Sequence, residues 1–112
     1  MIINDSAYGA DVTYDAVRLG GAPAKRDDVT VQVFLPGDGV TVAVAGQQPP
    51  QGCYKLDRML SVVTTHGGQV GCYGPCMDAR GLTEEMLVEL AGRSTMDKLA
   101  DWTPAADKVL VF

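Results

Sequence analysis

The sequence is poor in the features that mark nucleic-acid binders, membrane proteins and disulfide-stapled domains. Cationic residues are few: nine Lys plus Arg stand against fourteen Asp plus Glu, for a net charge of -5. A surface that tracks phosphates needs clustered positive charge. Here the single adjacent basic pair, Lys25-Arg26, is followed at once by Asp27-Asp28, so no nucleic-acid partner is expected. Long apolar runs are also missing. The longest stretch free of Asp, Glu, Lys and Arg, residues 59–77, holds His66, Gln69, Gly67, Gly68 and Pro75, too polar and too broken to span a bilayer, so no membrane partner is expected either. Cysteine occurs three times, an odd number, and the opening MIINDSAYGA lacks the basic and apolar segments of a secretory leader. A reducing cytoplasm without structural disulfides is the expected setting.

Several common chemistries are absent as well. Gly37-Asp38-Gly39 lacks the third glycine and the following helix of a phosphate-binding loop, and there is no serine elbow and no internal repeat. Cys72 and Cys76 have no second close Cys/His pair, so neither a metal site nor a cofactor is expected. His66, the one histidine, is expected to serve the last carbonyls of a helix.

What remains is an ordinary globular composition, 46% apolar and 21% charged, in a chain of one domain's length, residues 1–112. About 65% of the unfolded surface of such a chain can be buried without staples. Short apolar runs alternate with segments of helical period. Ile2-Ile3 reads as the end of a first strand. Tyr14, Val17 and Gly21 recur at helical spacing from Ala10, and Gly20-Gly21 with Pro23 form a stop. Val29, Val31, Val33, Phe34 and Leu35 read as a buried strand before Pro36-Gly37-Asp38-Gly39. Residues 40–46 carry two signals, β-branched alternation that argues strand and brevity with a following Gly-Gln-Gln-Pro-Pro that argues a short helix, and are assigned to the helix. Leu56, Met59, Leu60 and Val63 mark a helix over 54–66, ended by Gly67-Gly68. Residues 69–73 are a third strand, broken at Gly74-Pro75. Thr83 is an N-cap for a helix with Met86, Leu87 and Leu90 facing inward. Ser94 with Asp97 forms a second capping box before Met96, Leu99, Ala100 and Thr103, ending near Pro104. Residues 108–112 are a last strand. Near-continuous Val and Leu in strands separated by amphipathic helices imply a sheet covered on both faces. The expected fold is α/β, a three-layer Rossmann-like or flavodoxin-like sandwich with a mostly parallel sheet.

In such a sheet, reactive groups collect beyond the carboxyl ends of the strands. Residues 4–9, 36–39 and 74–82 occupy those places. Cys76 lies just past the third strand, where helix amides and Arg80, four residues on, would stabilise a thiolate. Gly81 would permit a tight turn. Cys72, inside the strand, is expected to be a buried structural thiol. Cys53 follows Pro49-Pro50-Gln51-Gly52 and has helix-dipole help but no neighbouring motif. Asp5, Asp38 and Asp78 could converge at the sheet edge, although acidic loop residues in an acidic chain are usually just solvated.

The run CMDARGLTEEMLVELAGRSTMDKLADWTPAADKVLVF, with the opening IINDSAYG and the middle PPQGCYKLDRML, resembles the DsrE/DsrF-like family of small sulfur-relay proteins over nearly the whole chain. Its most specific part is Cys76 to Leu82. The resemblance implies an α/β sandwich assembled as a homo-oligomer, a trimer or hexamer, and a cysteine after a central strand that takes up a persulfide and passes it on. Cys76 inherits that role by position. Asp78 and Arg80 match as flanking motif residues, and Asn4, Asp5 and Tyr8, in the matching first loop, would line the same mouth. Two departures stand out. The first strand, Met1-Ile2-Ile3, is shorter than in family members, which puts its pairing in doubt. Gly20-Gly21-Ala22-Pro23 replaces better helix formers, and at about 1 kcal/mol per glycine the first helix should end early.

The expected function is therefore an intracellular sulfur carrier of sulfurtransferase type. Cys76 accepts sulfur from a donor protein and hands it to an acceptor protein, with no metal or organic cofactor. Trp102 and Tyr54 are candidate oligomer contacts, the alternative being that they form part of the core rim. Two other readings use the same residues: a non-enzymatic module binding a small ligand or a partner's tail, and a thiol redox sensor built on Cys72 and Cys76.

Overall fold

The computed structural model describes all 112 residues. Its sheet holds β1 (Gln32–Leu35), β2 (Gln69–Tyr73) and β3 (Ala91–Ser94), paired in parallel in that order. The two chain ends extend it on the far side of β1, through parallel bridges from Ile2 to Phe34 and from Ile2 to Val111. The short first strand thus sits between two neighbours. Ile3 N–H donates to Phe34 O (3.0 Å) on one side, and Phe112 N–H donates to Ile2 O (2.8 Å) on the other. Few residues suffice there because both edges of the segment are hydrogen-bonded. The final strand expected over 108–112 is reduced to this bridging segment.

Alternation along β1 and β2 sorts the layers. Val33 and Leu35 pair in register with Val70 and Cys72, and all four belong to the main buried cluster. Helices α1 (Asp11–Ala24) and α2 (Leu56–Thr65) contribute Ala16, Val17, Leu60 and Val63 to the same cluster. Phe34 points the other way, fully buried, with Trp102 of α4 (Met96–Ala105) edge-on to it at 6.4 Å. The result is helices, parallel sheet, helix. No helix is long and apolar enough to cross a membrane.

Four local expectations are corrected. Helix α1 does not stop at Gly20-Gly21 but runs to Ala24, with Pro23 in its last turn. The glycines are where α1 meets its neighbours: a Cβ on Gly20 would lie 3.2 Å from the Met1 sulfur, and one on Gly21 would lie 3.6 Å from a Val62 methyl. Tertiary contact outweighs their low helix propensity. The helix assigned to 40–46 is a 3-10 helix placed earlier, Gly37–Ala43.

The helix expected after Thr83 is only the 3-10 turn Glu84–Met86, followed by β3. The local capping pattern loses to pairing with the rest of the fold: Val88 N–H donates to Ala43 O (2.8 Å), and Ala45 N–H donates to Met86 O (2.8 Å). Leu87 is buried as expected, but Met86 and Leu90 face solvent, and Leu90 adopts φ 69°. Finally, α4 is capped by Thr95 rather than Ser94: the Thr95 hydroxyl accepts Lys98 N–H at 3.1 Å, while Ser94 ends β3. His66 follows α2 as expected, its Nδ1 2.8 Å from Val62 O, and Gly67 takes the left-handed conformation, φ 84°.

Cys72 is fully buried. Burial, followed by the Glu84 charge, pushes its thiol up to about 12. The folded state holds this proton more tightly than the unfolded chain does. The associated stability is therefore complete below the ordinary thiol value of 9.0 and is lost as pH rises towards about 12. In urea titrations Cys72→Ala is expected to be less stable than wild type at neutral pH because it leaves a cavity. That gap should narrow by about 1.4 kcal/mol per pH unit across the alkaline window. A pH-independent gap would contradict this assignment.

Gly39 is the tightest backbone contact beside the first strand: a Cβ there would lie 2.0 Å from Ile3 O. Gly39→Ala is expected to lower the urea midpoint by the equivalent of about 2 kcal/mol or more, because backbone atoms must move. A midpoint equal to that of the wild type would show that the Ile3–Gly39 approach is not tight in solution.

Candidate functional site

The segment after β2 is not the open loop that Gly74-Pro75 suggests. It is a helix, α3 (Gly74–Ala79), that starts at once from Tyr73. Proline in a first turn lacks only an amide that the helix would not use. The helical conformation is disfavoured for a residue that precedes proline, and Gly74, with no Cβ, eases that restriction. Cys76 is therefore held in the first turn of a helix, at the carboxyl end of a central strand.

Six residues are few for a helix, so its ends need outside support. At the C-terminus Gly81 adopts φ 66°. Its N–H donates to Asp78 O (3.1 Å), and Leu82 N–H reaches back to Met77 O (2.9 Å), the paired bonds of a Schellman cap. Met77 is buried and anchors the helix in the core.

The Cys76 sulfur accepts the Gly37 N–H at 3.1 Å. Cys76 is half-buried, Cys72 buried and Cys53 exposed. Gly37 has φ 55°, a left-handed geometry that costs little without a side chain and turns its amide towards sulfur. A donor aimed at sulfur interacts more strongly with a thiolate than with a thiol. Gly37 was not singled out from the sequence, because nothing in the Pro36-Gly37-Asp38-Gly39 turn shows that it will meet a residue thirty-nine positions later.

The charged residues around Cys76 form two ties. Arg80 donates from Nη1 to Cys76 O at 3.0 Å and from Nε to Asp38 Oδ1 at 3.2 Å. Its guanidinium thus touches the Cys76 backbone and Asp38, whereas the sulfur's own donor is Gly37. Asp38 follows Gly37 directly, so this ion pair joins α3 to the same turn that carries the amide. On the other flank Asp78 accepts two bonds from Arg93, at 2.7 and 2.8 Å. The Arg93 side chain holds the Asp78 carboxyl below the usual carboxylate range, and the pair raises Arg93 in turn. Arg93 also escaped the sequence reading. It lies in β3, opposite Cys72 in register, between two expected helices, where the sequence reading placed no strand.

The first-loop residues are divided. Asn4 lies beside Gly37, its carbonyl 3.9 Å from where a Gly37 Cβ would stand, while its side chain donates to Phe112 O at 2.9 Å. Asp5 is exposed. Tyr8 is engaged at the start of α2, its hydroxyl accepting Leu56 N–H at 3.0 Å and its ring stacked on Tyr54 at 5.8 Å. Of the expected cleft, Asp38 is joined to Cys76 through Arg80, and Asn4 borders the same turn.

The chain is similar to known proteins along its whole length. The profile of the DsrE/DsrF-like family matches residues 1–112. Protein YchN of Escherichia coli (strain K12) is 32% identical over 113 residues, covering 100% of this chain and 96% of the relative. An uncharacterized protein of Methanocaldococcus jannaschii is 34% identical over 112 residues, with 100% and 96% covered. The crystal structure of the E. coli ychN protein superposes with a TM-score of 0.90 at 33% identity, covering 99% of this chain and 96% of that one. With its parallel three-layer sandwich and full-length match, the chain belongs to the DsrE/DsrF-like family.

Proposed function

We propose that this protein is a sulfur carrier in which Cys76 accepts and passes on a persulfide sulfur. The observation that carries the reading is the Gly37 N–H donated to Cys76 Sγ at 3.1 Å, on the one half-buried thiol of the chain. Membership of a family associated with sulfur relay supports it. The Cys76 thiolate attacks the outer sulfur of a donor persulfide; a new S–S bond forms at Cys76, the donor's S–S bond breaks, and the donor leaves as a thiolate. An acceptor thiolate then attacks the sulfur carried on Cys76. The acceptor gains the persulfide and the Cys76 thiolate returns, with no net redox change. Donor and acceptor are partner proteins bearing thiols, and the working form is a homo-oligomer.

The sensor reading requires Cys72 to react as well. Cys72 is fully buried and its thiol is pushed up to about 12, so neutral pH leaves it protonated. This favours the carrier over the Cys72–Cys76 sensor.

Polysulfide treatment of the purified protein, followed by intact-mass measurement, is expected to add about 32 Da, one sulfur atom. The adduct should persist in Cys53→Ser and Cys72→Ser and vanish in Cys76→Ser. Its absence from wild type would end the carrier reading. Loss of two hydrogens on mild oxidation, abolished by changing either Cys72 or Cys76, would establish the sensor instead.

A further inference from the structure

Arg93 makes no hydrogen bond to the Cys76 sulfur, whose donor is Gly37, yet its surroundings tie it to the helix that carries it. A Cβ on Gly74 would lie 2.7 Å from the Arg93 Cζ, so the guanidinium rests against the first residue of α3. The same guanidinium grips Asp78, near the other end of α3, through two bonds of 2.7 and 2.8 Å. The Arg93 backbone is held in turn, its N–H donating to Glu84 Oε1 at 2.9 Å. One side chain on β3 therefore touches α3 on either side of Cys76, opposite the flank tied to Asp38 by Arg80.

We propose that Arg93 is a positioning residue. By clamping Gly74 and Asp78, it fixes the orientation of α3 and thereby holds Cys76 Sγ against the Gly37 amide. The inference deepens the sulfur-carrier reading but stands on geometry that any thiol chemistry of Cys76 would share. Half-exposed ion pairs contribute little to global stability, and the Arg93 and Asp78 side chains are 45% and 62% exposed. A bidentate arginine fork fixes direction as well as distance, and lysine cannot reproduce it. Loss of the clamp should accordingly be felt at Cys76 more than in the unfolding midpoint.

The test uses iodoacetamide labelling of Cys76 in the full-length chain, read by peptide mass, together with the Gly37 amide resonance in the 15N-labelled protein. Because alkylation needs no sulfur donor, failure of the carrier reading leaves this test intact. Arg93→Gln and Asp78→Asn are expected to slow Cys76 labelling by about tenfold and to shift the Gly37 amide towards its position in Cys76→Ser, with near-wild-type unfolding midpoints. Arg93→Lys, which keeps the charge but not the fork, should fall between. Arg26→Gln, which breaks the exposed Arg26–Asp28 pair, should behave as wild type in both readouts. Wild-type labelling and an unmoved Gly37 amide in Arg93→Gln would overturn the proposal. So would equal slowing in Arg26→Gln, or slowing without any change at Gly37.

Discussion

The site depends on a single meeting of residues distant in sequence, the Gly37 amide on the Cys76 sulfur, and most of the surrounding structure serves to bring those two atoms together. Gly37 follows β1 and Cys76 follows β2, so their approach requires adjacent parallel strands in the register observed, with Leu35 opposite Cys72. It also requires both strands to end in tight turns. The left-handed Gly37 supplies one. The other is the direct passage of β2 into α3, with proline in the first turn of the helix. The sulfur is then neither an open surface thiol, as Cys53 is, nor a sealed one, as Cys72 is.

Such a short contact on so short a helix needs a frame, and the frame is divided between apolar and charged parts. Met77 roots α3 in the core, the Gly81 turn closes its C-terminus, and the two arginine–carboxylate pairs brace its flanks. Core burial carries the stability, because exposed ion pairs are worth at most about 1 kcal/mol each. What the pairs add is direction. Arg80 couples the helix to the residue next to Gly37, and Arg93 couples it to β3, so displacement of α3 towards either neighbour is resisted.

Much of this was legible in the sequence, and the failures share one cause. The buried strands, the 54–66 helix with its Gly67 stop, the burial of Cys72 and the place of Cys76 beyond a strand end all follow from apolar period and glycine chemistry. The misreadings arise where local signals conflict with partners distant in sequence. Gly20-Gly21 looks like a helix end until α2 and Met1 are packed against it. Thr83-Glu84-Glu85 looks like a helix start until Val88 pairs with Ala43. Arg93 falls between the helix expected after Thr83 and the one expected after Ser94, where no strand was expected, and treating 74–82 as a loop assigned Arg80 to the sulfur, when its guanidinium bonds Asp38 and the Cys76 carbonyl. The donor that does reach the sulfur is a backbone amide, which no side-chain motif reveals.

The central claim is that the sulfur held by Gly37 is the one that carries sulfane sulfur. A crystal structure of the polysulfide-treated protein tests it most directly. The account predicts one additional sulfur atom covalently attached to Cys76, with Sγ still within hydrogen-bond distance of the Gly37 amide and with Cys72 unmodified. An added sulfur on Cys53 alone, or a Cys76 sulfur that is unmodified and turned away from Gly37, would contradict it.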